Sequence, residues 1–268
     1  MTLKTITLLS LISAALSAVA ACAWLPTSGE ASPQPCTITG DLETVATNPD
    51  IQEEIIRYKG MTVSFNRNLH IPNWVAWELT ADETSGTTGR SSKFNHDADV
   101  AGCAWPSDYT GSGYDRGHMA PAGDMKWDPE AMAQTFLMTN IAPQAHSLNS
   151  GSWKSLEEKC RKWATIDSAI VIVCGPVLRN PIIEYIGDTQ VAVPAEYFKV
   201  ILAPYSDPPR GIGFIMPNGK VPGGMQQCSM TIDQVEEITG HDFFPALPDS
   251  IENIIEAQNQ FHLWSTLR

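Results

Sequence analysis

The sequence predicts a mixed fold of strands and helices built on a sheet with several antiparallel neighbours. Two observations carry this expectation. Strand-length apolar runs recur along the chain, with proline and glycine punctuating them at Pro176, Pro181, Pro194, Pro204, Pro208 and Pro217. Helix-capping signals, by contrast, concentrate late in the chain. In order, residues 48–58 read as a short helix, and 61–65 and 73–80 alternate as strands, with Trp74 and Trp77 as large apolar contributors. The polar stretch 81–102 reads as loop. Residues 135–141 read as a strand, 150–165 as a helix capped by Ser150 or Ser152, and 169–174, 190–193, 197–203 and 211–216 as further strands. Thr231 with Gln234 forms a capping box for a helix stopped by Gly240, and Asp249 with Glu252 a second that opens the last helix.

A chain of 268 residues with 43% hydrophobic content suffices for one large core, so a single domain is expected over residues 41–268. Ahead of it, Lys4 and the apolar run from Ile6 to Ala21 have the charged start, short apolar centre and small-residue exit of a secretory signal over 1–21. The exit Val19-Ala20-Ala21-Cys22 resembles the bacterial lipobox. That likeness predicts lipidation of Cys22, a membrane anchor in the bacterial cell envelope and a tether over 22–40; simple cleavage and secretion is the rival outcome. The other cysteines, Cys36, Cys103, Cys160, Cys174 and Cys228, are an odd set in a compartment that permits disulfides. Cys174 ends a buried-looking run and is the expected free thiol, and the pairing of the other four stays open. A net charge of −13 argues against tight, processive binding of nucleic acid and leaves room for a local cationic site that engages a few phosphates.

Residues 113–125 place Asp115, Arg116 and His118 within four residues, among glycine, proline and methionine. That composition disfavours a helix and suits a strand end or turn, where an imidazole reachable by solvent can act as a base. Farther on, Asn149, Trp153, Glu157 and Arg161 recur every fourth residue and define one helical stripe, while Leu156, Cys160 and Trp163 form an apolar face. A carboxamide, a carboxylate and a guanidinium brought against a strand-end histidine would supply a sparse oxygen site for hydrated Mg²⁺ beside a phosphate clamp.

Asp115-Arg116-Gly117-His118, Asn140, Asn149 and Glu157 together resemble the signature of the DNA/RNA non-specific endonucleases. The likeness extends upstream through Pro72 to Thr80 and downstream through Val173 to Val177, Tyr197 to Val200 and Thr239 to Phe244, covering about residues 45–248. It implies an α+β fold with a central, largely antiparallel sheet flanked by helices and a ββα-metal motif. It further implies His118 as general base, Asn149 as direct Mg²⁺ ligand and Glu157 as a holder of the ion's water shell, with Mn²⁺ or another divalent ion able to substitute. Arg116 and Arg161 would steady the phosphate, Asn140 would orient the site, and Arg90 matches an upstream arginine of the family. DNA and RNA are the substrates the resemblance implies, without sequence preference, and it admits a homodimer.

Other readings compete with these. His70, His96, His241 and His262 read as structural histidines, Asn149 alone as a helix cap, and Glu157 with Arg161 as a solvated ion pair at four residues. Asp115 and Asp124 read as supports of the loop. A non-catalytic surface lipoprotein that binds nucleic acid or a partner would fit the acidic charge and the tether. A zinc hydrolase using His118 and His146 lacks further ligands at regular spacing.

Overall fold

The computed structural model describes residues 41–178, 182 and 184–265. The expected signal, Cys22, the tether and Cys36 lie outside them. The chain runs through β1 (Val45–Ala46), β2 (Glu54–Arg57), β3 (Thr62–Asn66), β4 (Ile71–Thr80), β5 (Tyr114–His118), α1 (Pro129–Gln134), β6 (Ile141–Ala145) and α2 (Lys154–Asp167). It continues through β7 (Ala169–Pro176), β8 (Tyr185–Ile186), β9 (Val191–Ala192), β10 (Glu196–Ala203), β11 (Arg210–Pro217) and β12 (Ser229–Met230). The last elements are α3 (Ile232–Thr239), β13 (Asp242–Phe243), α4 (Asp249–Ile255) and α5 (Phe261–Ser265).

Seven strands form the central sheet in the order β12-β11-β10-β7-β4-β3-β2, every neighbouring pair antiparallel, so the fold is the expected α+β. Both faces of the sheet are covered. Along β7, Ile170, Ile172 and Cys174 join the core under α2, whereas Val171 and Val173 join a second core that also takes residues of α3 and α4. A strand buried on both faces reads as a continuous apolar run, which is why Ala169 to Val173 shows no polar alternation. Gly175 lets β4 approach closely, since a Cβ there would strike the Asn73 carbonyl.

Four expectations need correction. Residues 48–58 are not a helix. Asn48 is tied to the end of α3, its N–H donating to His241 Nδ1 (3.1 Å) and its amide to the Thr239 carbonyl (3.3 Å), and the following residues form β2 on the sheet edge. Residues 135–141 are not a strand. Asn95 and Leu137 make a single bridge there, a 3₁₀ turn follows at Met138–Asn140, and the strand begins at Ile141. Asp249 does not cap α4, whose N-cap is Pro248 without a side-chain hydrogen bond, although the Thr231–Gln234 box and the left-handed Gly240 stand as expected. Finally, Cys103, Cys160 and Cys228 carry free thiols as Cys174 does. Cys160 and Cys174 serve as small core residues under α2.

Candidate active site

Strands β5 and β6 pair antiparallel, with His118 opposite Ile141 at the end of the ladder, and the chain then turns into α2. Gly117 is required beside the histidine, because a Cβ would collide with the Gln144 side chain. The His118 ring sits between Phe94 and Phe136, with centroids 5.3 and 4.8 Å away. Its carbonyl accepts from the Trp153 indole at 3.4 Å. The loop after it is clamped by buried Asn140, which accepts from Ala120 N–H and donates to the Ala120 and Thr135 carbonyls, each at 2.9 Å. Asn140 therefore acts from beneath the site and does not line it. The imidazole is only 8% exposed and its Nε2 has no hydrogen-bond partner among the described residues. Burial, helped by the positive charge of Arg90, depresses its pKa to about 3, so the ring is neutral at pH 7 and able to accept a proton.

The helix that supplies the remaining groups is irregular at its start. Residues Leu148–Trp153 form a π-turn in which Gly151 adopts φ −105° and ψ −113°, outside the helical region. This corrects the four-residue stripe, since Trp153 is fully buried and points to the core. The residues that reach the cleft are instead Asn149, Ser150, Lys154, Glu157 and Arg161. Neither Ser150 nor Ser152 caps α2, and Ser150 Oγ donates to the His146 carbonyl at 2.6 Å. Asn149 is no cap either, because its Nδ2 donates to the Asp115 carboxylate at 2.9 Å. An ionised carboxylate only accepts, so Asp115 fixes which end of the amide it holds and leaves Asn149 Oδ1 free. The same Asp115 oxygen lies 2.8 Å from His146 Nδ1.

The cleft, about 370 Å³, is lined by His118, Arg90, Asn149, Lys154, Glu157 and Arg161 together with the 121–123 loop. A second hollow of about 330 Å³ shares Arg90, His118 and Asn149 with it and adds Arg116, Phe94 and Tyr114. Arg90, Arg116, His118, Asn149, Glu157 and Arg161 thus border two hollows that share three of these residues, whereas Asn140 borders neither. Arg161 is held by fully buried Asp124 at 2.7 Å, and Asp124 also accepts from the Trp77 indole at 3.2 Å. Arg116 donates through Nε and Nη2 to the Pro106 carbonyl and lies 5.3 Å over Phe94, while Arg90 lies 5.3 Å over Phe136. Glu157 makes no hydrogen bond within the described chain, and burial raises its pKa to about 7 against the pull of Lys199, Arg161 and Arg90.

Two cations escaped the sequence reading. Lys154 reaches the cleft from a position three before Glu157 and seven before Arg161, a spacing that emerges once Trp153 is assigned to the core. Lys199 is buried beneath the site at 1% exposure, with no geometrically satisfied hydrogen bond from Nζ among the described residues and the Trp153 and Trp77 rings 4.4 and 5.3 Å away. The zinc reading fails on geometry. Among the described residues, the group of three or more His, Cys, Asp or Glu placed to share an ion lies elsewhere and includes neither His118 nor His146.

A neutral imidazole, a free amide oxygen, a free carboxylate and several cations around one cleft suit metal-assisted chemistry on a phosphate ester. The sequence model of the DNA/RNA non-specific endonucleases matches residues 38–250. The mitochondrial nuclease EXOG of Mus musculus is 37% identical over 222 residues, covering 75% of this chain and 60% of that protein's length. A nuclease of Nostoc is 32% identical over 213 residues, or 73% of this chain and 75% of the other. Among solved structures, a chain of the EndoG/EndoGI complex superposes with a TM-score of 0.68 at 26% identity, covering 74% of this chain and 88% of that one.

Proposed function

This chain belongs to the DNA/RNA non-specific endonuclease family, and from that premise we propose that it is an endonuclease hydrolysing phosphodiester bonds of both DNA and RNA in the His118 cleft. The observation that carries the reading is the uncommitted, neutral imidazole sharing a cleft with the free oxygens of Asn149 and Glu157. These oxygens fit a hydrated Mg²⁺, which needs few protein ligands. Asn149 would bind it directly, and Glu157 through the ion's water shell. When bound, the ion would neutralise charge on the phosphate oxygens and on the departing 3′ oxygen.

His118 takes the proton from the water that attacks phosphorus, leaving a 5′-phosphate on the product. A neutral ring is the correct starting state. An incoming phosphodiester anion opposes the field of Arg90 and raises the ring's proton affinity as the substrate settles. Arg161, aimed by Asp124, and Arg90 and Arg116, laid over Phe136 and Phe94, hold the phosphate and share its developing charge. Asn140 keeps the 119–123 loop, and with it His118, in register. Because these groups address the backbone and not base edges, sequence preference and discrimination against a 2′-hydroxyl should both be weak. In a chain of net charge −13, this confined patch of cations would engage a few phosphates and release them.

We extend the proposal to export, with residues 1–21 as signal and Cys22 as a lipidated anchor. Labelling with a palmitate analogue should mark the wild type and not Cys22→Ser. The activity is tested by nicking of supercoiled plasmid and cleavage of a mixed-sequence RNA, each with Mg²⁺ and with EDTA. Cleavage of both substrates only with metal is expected. A folded protein that leaves both intact with Mg²⁺ and with Mn²⁺ would favour a non-catalytic binding role.

A further inference from the structure

A second cluster of ligand-type side chains lies away from the cleft, where α4 meets α3. Ile232 and Val235 of α3 and Ile255 of α4 pack into the core on the sheet face opposite α2. The Asp233 N–H donates to the Glu256 carbonyl at 3.3 Å, so the end of α4 abuts the first turn of α3. At that junction the carboxylates of Asp233, Glu236 and Glu256 each place an oxygen within 4.8 Å of the others. Glu256 is 4% exposed, and its Oε1 is buried without a hydrogen-bond partner. Glu236 spends one oxygen on the Phe243 N–H at 2.8 Å and keeps the other free.

Among the described residues, the largest charge effects on Glu256 come from Glu236, Glu252, Asp233 and Asp242, all acidic, and the last turn of α4 carries no basic residue. Glu256, the C-cap of α4, also stands at the negative end of that helix, where a carboxylate is disfavoured. A buried carboxylate is normally paired, hydrogen-bonded or bound to metal, and Glu256 Oε1 is neither paired nor hydrogen-bonded.

We propose that Asp233, Glu236 and Glu256 form a calcium site that fastens α4 to α3, separate from the catalytic cleft. A set of carboxylates converging from two helices, some able to bind through both oxygens, suits an ion that takes about 6–8 oxygens in flexible geometry. Two oxygens on opposite sides of one Ca²⁺ stand up to roughly 5 Å apart, which the cluster's span allows. Mg²⁺ suits it less, since it demands near-octahedral geometry and keeps its waters. Asp242 and Glu252 lie close enough in charge to add to the field that draws the ion in. The site is independent of the nuclease reading.

The test is calcium titration of the metal-stripped full chain, read by calorimetry and by thermal melting. Asn149→Ala removes the metal ligand proposed in the cleft, and Glu256→Gln removes the buried one at the junction. The proposal expects both wild type and Asn149→Ala to keep a saturable calcium site that raises Tm, whatever the cleft itself takes up, and Glu256→Gln in the Asn149→Ala background to bind at that site at least tenfold more weakly. Should Glu256→Gln fail to fold, Asp233→Asn at the exposed ligand must weaken Ca²⁺ binding in the same direction. Calcium binding that is lost in Asn149→Ala but unchanged in the junction variants would overturn the site. So would a wild type that binds no calcium while metal-free Glu256→Gln melts higher, since the cluster would then hold a shared proton.

Discussion

In the proposed metal site Asp115 stands behind the Asn149 amide, and replacing it tests whether that contact sets the site's affinity. Its carboxylate holds Asn149 Nδ2 at 2.9 Å and leaves Oδ1 of this cleft-lining residue free for the ion. Asp115→Ala removes a hydrogen bond to a charged group, worth about 1.5–3 kcal/mol. The carboxylate is 33% exposed, so solvent screening places the loss at the lower end, about 1.5–2 kcal/mol. Each 1.4 kcal/mol is a factor of ten, so Mg²⁺ affinity should fall by roughly 10- to 30-fold. The assay is plasmid nicking as a function of Mg²⁺ concentration. The half-saturating concentration should rise by that factor while the rate at saturating Mg²⁺ stays within a few-fold of wild type. Asp115→Asn, which can still accept from the amide, should recover much of the affinity. An unchanged Mg²⁺ requirement together with a collapsed maximal rate would contradict this role and place Asp115 in the chemistry itself.

Other perturbations bear on the same account. Asp124→Ala strips Arg161 and the Trp77 indole of their shared acceptor, and breaking such a pair should cost roughly 3 kcal/mol in urea unfolding; a loss below about 1 kcal/mol would contradict a buried anchor. Glu157, raised to about 7 by burial, must be ionised to hold the ion, so Mg²⁺ affinity should weaken as pH falls through about 7. His118 stays neutral across that range, and an affinity independent of pH between 5 and 9 would remove Glu157 from the site. His241, buried and depressed to about 4, accepts from the Asn48 N–H, so the unfolded chain takes up this proton first. Its stabilising effect is complete above about pH 6.5 and is lost as pH falls toward 4, by up to about 3 kcal/mol. His241→Asn should flatten that part of the stability profile in denaturant titrations, and an unaltered slope would count against it.

How far the sequence revealed this molecule differs from element to element. Strands β4, β7, β10 and β11 were legible because sheet burial imposes apolar runs and alternation that few other structures produce. The start of α3 was legible because a capping box and a left-handed glycine are local chemistry. Residues 48–58 were not, because the hydrogen bonds that take Asn48 out of a helix come from residues nearly two hundred positions away. In the site, His118 and Arg116 stood out through their unusual surroundings, and Glu157 and Arg161 through helical spacing. The π-turn at 148–153 was invisible to spacing. It shifts the helical phase, sending Trp153 inward and Lys154 to the cleft. Lys199 was hidden for a different reason, since a lysine inside an apolar strand gives no sign that two tryptophan rings will cover its charge. The cysteines misled because a compartment that permits disulfides does not require them, and packing used Cys160 and Cys174 as small apolar side chains.

In the proposed mechanism the His118 imidazole removes the proton from the attacking water. The measurement that addresses it most directly is the single-turnover cleavage rate of His118→Ala at saturating Mg²⁺, with the fold verified by circular dichroism and imidazole then added to the buffer. The account predicts a loss of about 10²–10⁴-fold in rate and partial recovery that follows the concentration of neutral imidazole. A folded variant that cleaves at the wild-type rate without imidazole would contradict it.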